Sequence, residues 1–152
     1  MAVELLTGVK KLFWATGRLE TYTHWPFKPE DGTCTPERMA AAGFYVVDDT
    51  DEQDTVECFV CGKQLDGWDA NDDPWEEHAK HQRDCPFVLL NKQDEMQWTV
   101  DDLFNLIKAY HVNHCTQKMN DDLKKMKLDS QEAVKQIRKI YKAERKSRKG
   151  GK

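Results

Sequence analysis

The sequence predicts an α+β fold: a small zinc-stapled domain with a short three-stranded antiparallel sheet and surrounding helices, followed by a long C-terminal α-helix. Three observations carry this. Cys58-Phe-Val-Cys61 is followed at a distance by His78 and Cys85, the ligand grammar of a structural metal site. Short β-prone runs flank that knuckle. From Thr99 onward, apolar residues recur at three- and four-residue steps, the period of a helix face.

The elements follow in order. Residues 1–15 form an N-terminal helical segment, with a helix over 3–15 placing Leu5, Leu6, Val9, Leu12 and Phe13 at helical spacings and Trp14 beside them. These residues pack on their own domain or serve self-association, so a homodimer of the free chain is an expectation. A second short helix starts at Thr16 or Gly17 with Leu19 and Tyr22 inward, and Trp25-Pro26-Phe27 enters a loop. Thr35-Pro36-Glu37-Arg38 is a helix start: Thr caps, Pro occupies the first turn, and Glu suits the positive end of the dipole. Gly43 ends that helix. Thr35-Pro36 is also the minimal form of a proline-directed phosphorylation site. Residues 44–47 form a strand, 48–54 an acidic loop, and 56–60 and 65–68 pair across the knuckle. Asp73 caps the helix bearing His78 and His81.

The zinc domain is expected over 16–90, a linker over 91–98, the long helix over 99–146 and a frayed basic tail over 147–152. Thr99 caps the long helix, with Asp101 and Asp102 in its first turn. Leu103, Leu106, Ile107 and Tyr110 form one apolar stripe, and Met119, Leu123, Met126, Ala133, Ile137 and Ile140 a second, shifted in phase, with Ser130 filling one slot. Asp129-Ser130-Gln131-Glu132 also suits a fresh helix start, which would break the helix near Leu128. Unbroken, the helix would be roughly 70 Å long at ~1.5 Å per residue. A small domain cannot bury such a stripe, so both stripes, from Leu103, Ile107 and Tyr110 to Ile140, are expected to meet partner helices.

Of the 152 residues, 39% are hydrophobic and 33% charged, too polar for one large core. Zinc offsets this, since metal binding contributes roughly 10–16 kcal/mol of apparent folding free energy in small zinc modules. No run of eighteen apolar residues spans a membrane, and Glu4, Gly8, Lys10 and Lys11 interrupt the apolar start, so no leader is expected. Residues 1–91 carry 8 Lys and Arg against 18 Asp and Glu, a balance of −10; residues 92–152 carry 15 against 9, a balance of +6. The acidic half is a poor ligand for nucleic acid, whose phosphates repel it, and a better match for a basic peptide.

Five cysteines are sparse and odd in number for a disulfide framework, and a redox Cys-x-x-Cys would want a following helix rather than a hairpin. The cysteines fit a reducing compartment and one structural Zn2+. His78 and His81 lie three apart, and spacing alone leaves either as the fourth ligand. Three thiolates and an imidazole leave no open position for water, which argues against hydrolytic zinc chemistry. Cys34 and Cys115 remain as reduced bystanders.

Arg18, Thr21-Tyr22, Trp25-Pro26, Ala42-Gly43-Phe44, Asp54, Cys58-x-x-Cys61, Leu65-x-x-Trp68, Pro74, Glu77-His78, His81 and Cys85-x-Phe87 resemble the baculoviral IAP repeat, or BIR domain, over about residues 16–90. The resemblance implies zinc ligands Cys58, Cys61, His78 and Cys85, with His81 free. It also implies a groove that docks peptides by their N-terminal alanine. Leu65, Trp68 and His81 would surround the methyl group. Asp66, Asp72 and Glu77 would meet the ammonium group and a neighbouring arginine, and Lys63 and His81 a phosphate. Asn71 departs from the usual acidic residue, and Asp66 stands for the usual Glu, keeping the charge but shortening its reach.

One such domain before a long helix resembles the family's mitotic, non-enzymatic members. These read a phosphorylated histone tail beginning Ala-Arg-Thr and bundle with INCENP-like and borealin-like helices, placing an Aurora-type kinase at centromeres, then midzone and midbody. The resemblance also implies regulation at Thr35 and residence in nucleus and cytoplasm. The alternative within the family is an apoptosis inhibitor that binds caspases or their alanine-starting antagonists.

Overall fold

In the computed structural model, residues 9–47 and 54–149 are described. Residues 1–8, with Leu5 and Leu6, most of the acidic loop at 48–53, and 150–152 of the basic tail lie outside the described residues. The chain divides into two units, Met1–His114 and Cys115–Lys152.

Among the described residues, the first unit opens with a 3-10 turn, Lys11–Phe13; of the helix expected over 3–15, residues 3–8 lie outside the described residues and 9–15 are not one continuous helix. Trp14 is extended and serves as N-cap of α1, Ala15–Leu19. The break has a cause. The wholly buried guanidinium of Arg18 donates to the carbonyls of Leu12 (3.3 Å) and Phe13 (2.5 Å), acceptors that a continuous helix would have used itself. Arg18 also donates to the Ala40 carbonyl at 2.9 Å and lies 4.2 Å over the Phe59 ring. Burial pushes its guanidinium down to about 10, opposed by Glu95. Arg18 therefore takes the inward place expected of Leu19, which is 38% exposed; Tyr22 is buried as expected.

Helix α2, Pro36–Ala41, starts as its cap predicts: the Thr35 hydroxyl accepts from the Arg38 N–H at 3.4 Å. Gly43 follows with φ +94°, and a Cβ there would stand 2.9 Å from the Phe87 ring, so glycine is required twice over. Strands β1 (Phe44–Val46), β2 (Val56–Cys58) and β3 (Gln64–Leu65) form an antiparallel sheet in the order β1-β2-β3. The register sets Phe44 opposite Cys58 and Val56 opposite Leu65. Helix α3 is Pro74–His81, capped by Asp73, and α4 is Pro86–Leu90, ending at Asn91 in the left-handed region.

Residues 91–98, expected as a linker, are folded onto the zinc domain. Glu95 Oε1 accepts from the Ala15 N–H at 2.6 Å and pairs with Arg18 at 3.4 Å. Trp98 stands edge-on to Phe13 and Phe87 and stacks beside Trp14. Helix α5 then runs Val100–Lys149, without a break near Leu128 and past the expected end at 146. Thr99 and Asp102 close a reciprocal capping box at its start, each accepting from the other's N–H at 2.8 and 3.2 Å.

Within the first unit, Leu106, Ile107 and Tyr110 of α5 are buried with Phe13, and Leu103 is partly buried against the same core. Ile107 and Tyr110, expected on a partner-facing stripe, thus complete the domain's own core. Edge-on contact between Phe13 and Tyr110 at 5.6 Å is one reason. The second unit is helical through Lys149, and every side chain from 118 to 145 is exposed, Met119, Leu123, Met126, Ile137 and Ile140 included.

Candidate zinc centre and ligand cleft

The turn after β2 brings the first two sulfurs together. Gly62, at φ +67°, lets its N–H reach the Cys58 carbonyl at 2.9 Å, and the Cys58 N–H is held by the Lys63 carbonyl at 3.0 Å. The Val60 N–H points at Cys58 Sγ from 3.4 Å. Helix α3 supplies His78, fully buried, and Cys85 stands at the N-cap of α4.

One donor atom from each of Cys58, Cys61, His78 and Cys85 lies within 4.8 Å of all the others. Cys58 Sγ is 3.9 Å from Cys85 Sγ, and Cys61 Sγ is 3.7 Å from His78 Nε2. Zinc–sulfur bonds of about 2.3 Å and zinc–nitrogen bonds of about 2.0–2.1 Å give tetrahedral edges of roughly 3.8 and 3.6 Å. Those two separations match edges of a zinc tetrahedron.

The tautomer agrees. His78 Nδ1 lies 2.8 Å from the Ala42 carbonyl, so that nitrogen carries the proton and Nε2 presents its lone pair to the sulfurs. Burial, then the neighbouring sulfurs of Cys61 and Cys85, push the Cys58 thiol well up. Thiolate charge in this cluster needs a cation, which zinc supplies. The four residues form one compact zinc-binding group. His81 is elsewhere: its Nε2 is 3.2 Å from Glu77 Oε2, which answers the choice between the two histidines.

On the outer side, Leu65, Asp66, Gly67, Trp68, Asp72, Glu77 and His81 line one cleft of about 160 Å³. Six of the seven residues expected there are thus brought together. Lys63 is absent from the lining, and so is Asn71, whose departure from an acidic residue falls outside the cleft. Trp68 is 8% exposed and packs edge-on to Phe44, and its indole N–H has no partner among the described residues. Glu77 already holds Lys80 at 3.1 Å as well as His81. Beside the cleft, β3 is an edge strand of the sheet, pairing among the described residues with β2 alone.

Sequence reasoning missed what holds this cleft in place. Asp54 Oδ2 accepts from the N–H groups of Gly67 (2.9 Å) and Trp68 (3.3 Å). The Thr33 hydroxyl reaches the carbonyls of both Asn71 (2.8 Å) and Asp72 (2.9 Å), the Cys34 N–H reaches the Ala70 carbonyl, and Arg38 pairs with Asp73. Such contacts between distant loops leave no local pattern; only the odd density of Asp and Asn at 69–73 marked the segment. Thr35, the expected phosphorylation site, is largely buried in its capping role.

A family model described as the Inhibitor of Apoptosis domain, BIR, matches residues 18–89. Baculoviral IAP repeat-containing protein 5 of Rattus norvegicus is 38% identical over 124 residues, 82% of this chain and 86% of that protein. Baculoviral IAP repeat-containing protein 5.2-A of Xenopus laevis is 35% identical over 130 residues, 86% of this chain and 82% of that one. Among solved structures, the crystal structure of DIAP1 BIR1 bound to a Grim peptide aligns with TM-score 0.43 and 30% identity, covering 53% of this chain and 75% of that one.

Proposed function

The chain belongs to the baculoviral IAP repeat family, in its survivin type, and from that premise we propose that it is a non-enzymatic peptide reader and scaffold. Its ligand is a chain end with a free alanine ammonium, a basic second residue and a phosphorylated third, as in a histone tail beginning Ala-Arg-Thr. The observation that carries this is the cleft. Asp66, Asp72 and Glu77 converge on one small volume with the Trp68 indole and Leu65. Carboxylates and an aromatic face together favour an ammonium group over a neutral one. The β3 edge strand suits strand addition by an extended peptide. His81 lines the same volume and would meet the phosphate. Lys63, outside the lining, would reach it from the rim.

In the same reading, the exposed seam of the second unit, Met119, Leu123, Met126, Ile137 and Ile140, bundles with INCENP-like and borealin-like helices. The resulting chromosomal passenger complex carries an Aurora-type kinase to centromeres, then to the midzone and midbody. Similarity to the rat and frog relatives over more than the BIR segment supports a role for the helical region as well.

Calorimetry with Ala-Arg-Thr peptides, phosphorylated, unphosphorylated and N-acetylated, tests the reading. The phosphorylated free-amine peptide should bind tightest and the acetylated one weakest. Equal affinity for all three would refute it. Tight binding only to Ala-Val-Pro peptides would replace it with the apoptosis-inhibitor reading.

A further inference from the structure

Between Lys135 and Arg145 the second unit separates its positive charge from its apolar seam. At about 100° per residue, Met119, Leu123, Met126, Ala133, Ile137 and Ile140 fall within an arc of about 100°. Lys135, Arg138, Lys139, Lys142 and Arg145 fall within an arc of about 120° centred on the opposite side, and all are exposed. Lys124 lies in the same arc but sits 3.8 Å from Asp121. Lys135 is 3.7 Å from Glu132, an exposed pair weak enough to exchange for another anion. Between Lys135 and Arg145 the one acid is Glu144, which falls on the apolar side of the helix.

We infer that this basic face is a binding surface for the phosphate backbone of duplex DNA, independent of base sequence. The face carries no aromatic or apolar side chain between 135 and 145 that could seat a peptide or enter a lipid surface. It offers a line of cations over roughly 15 Å, at ~1.5 Å per residue, to a polymer with one charge per about 1.7 Å of helix axis. Because the seam lies opposite, helices packed on the seam would leave the basic face open. The chain's overall charge of −4 does not oppose this, since the acidic excess lies in residues 1–91.

The test uses the full chain loaded with zinc, a dye-labelled 30-base-pair duplex, and anisotropy at 50–200 mM NaCl. Five neutralised phosphates predict a log–log salt slope of about −4 to −5. A second duplex of unrelated sequence should bind equally. The variant K135E/R138E/K139E/K142E should lose at least tenfold in affinity and about one unit of slope per residue. Its tryptophan fluorescence and zinc content should be unchanged. Absence of duplex binding at 50 mM salt, or a variant slope equal to wild type, would overturn the inference. So would equal affinity and slope for a poly-glutamate peptide, which would reassign the face to an acidic protein, or tighter binding to phosphatidylserine vesicles.

Discussion

Two isoleucines on one helix should behave as opposites. Ile107 is 2% exposed and Ile137 is 64% exposed. Ile107→Ala removes three carbons, worth about 0.8 kcal/mol each as lost burial. It also opens a cavity in the buried cluster that Ile107 shares with Phe13 and Tyr110, which collapses only in part, so the loss should be about 2.5–4 kcal/mol. Ile137→Ala removes carbons already in water and substitutes a better helix former, so it should stay within about 0.5 kcal/mol of wild type. Urea unfolding followed by tryptophan fluorescence reads this cleanly, because all five tryptophans lie within residues 14–98. The zinc-loaded protein should show a lower midpoint for Ile107→Ala and an unchanged one for Ile137→Ala. Equal midpoints for the two variants would refute the division of α5 into a core segment and an exposed seam.

Other expectations are as direct. Cys85→Ala should lose zinc and unfold the first unit, whereas His81→Ala should keep one equivalent; metal analysis of purified protein distinguishes them. Gly43→Ala should cost about 1–3 kcal/mol, since its φ of +94° and the Phe87 ring both oppose a Cβ, and thermal unfolding checks it. Thr33→Val should weaken binding of the phosphorylated Ala-Arg-Thr peptide by roughly fivefold or more, for about 1 kcal/mol of lost hydrogen bonding to the cleft loop. Thr33→Ser should restore it, with zinc content constant throughout.

Much of this was legible because it is local. Caps at Thr35, Asp73 and Thr99 and the glycine stop at Gly43 are written within four residues of the features they fix, and each appears as read. The three thiol ligands were legible because cysteines have few other uses at that spacing, whereas spacing left His78 and His81 open and only the family resemblance pointed to His78, the histidine that the fold brings to the sulfurs. What failed was long-range. Arg18 is polar, and nothing nearby says that it will be buried to organise the carbonyls of Leu12, Phe13 and Ala40. Glu95 looked like linker because its partners, Ala15 and Arg18, lie some eighty residues away. Ile107 and Tyr110 shared a periodicity with an exposed seam, and periodicity reports that a face is apolar without saying what covers it.

Zinc and cleft are one construction, which yields a final prediction. Leu65, Asp66 and Trp68 follow Cys61 within seven residues, while Glu77 and His81, at i and i+4 on α3, bracket His78. One turn of helix thus sends His78 inward to the sulfurs and turns Glu77 and His81 out to the cleft. The two walls hang from different ligand-bearing segments, and the metal is the cross-link between them. Removing zinc with a strong chelator under reducing conditions should therefore abolish peptide binding even though no cleft residue is a ligand. Re-addition of one equivalent should restore it in parallel with the near-ultraviolet dichroism of Trp68 and Trp75. Peptide affinity that survived complete chelation would mean that the walls are held by the sheet and loops alone, and the metal would lose its place in recognition.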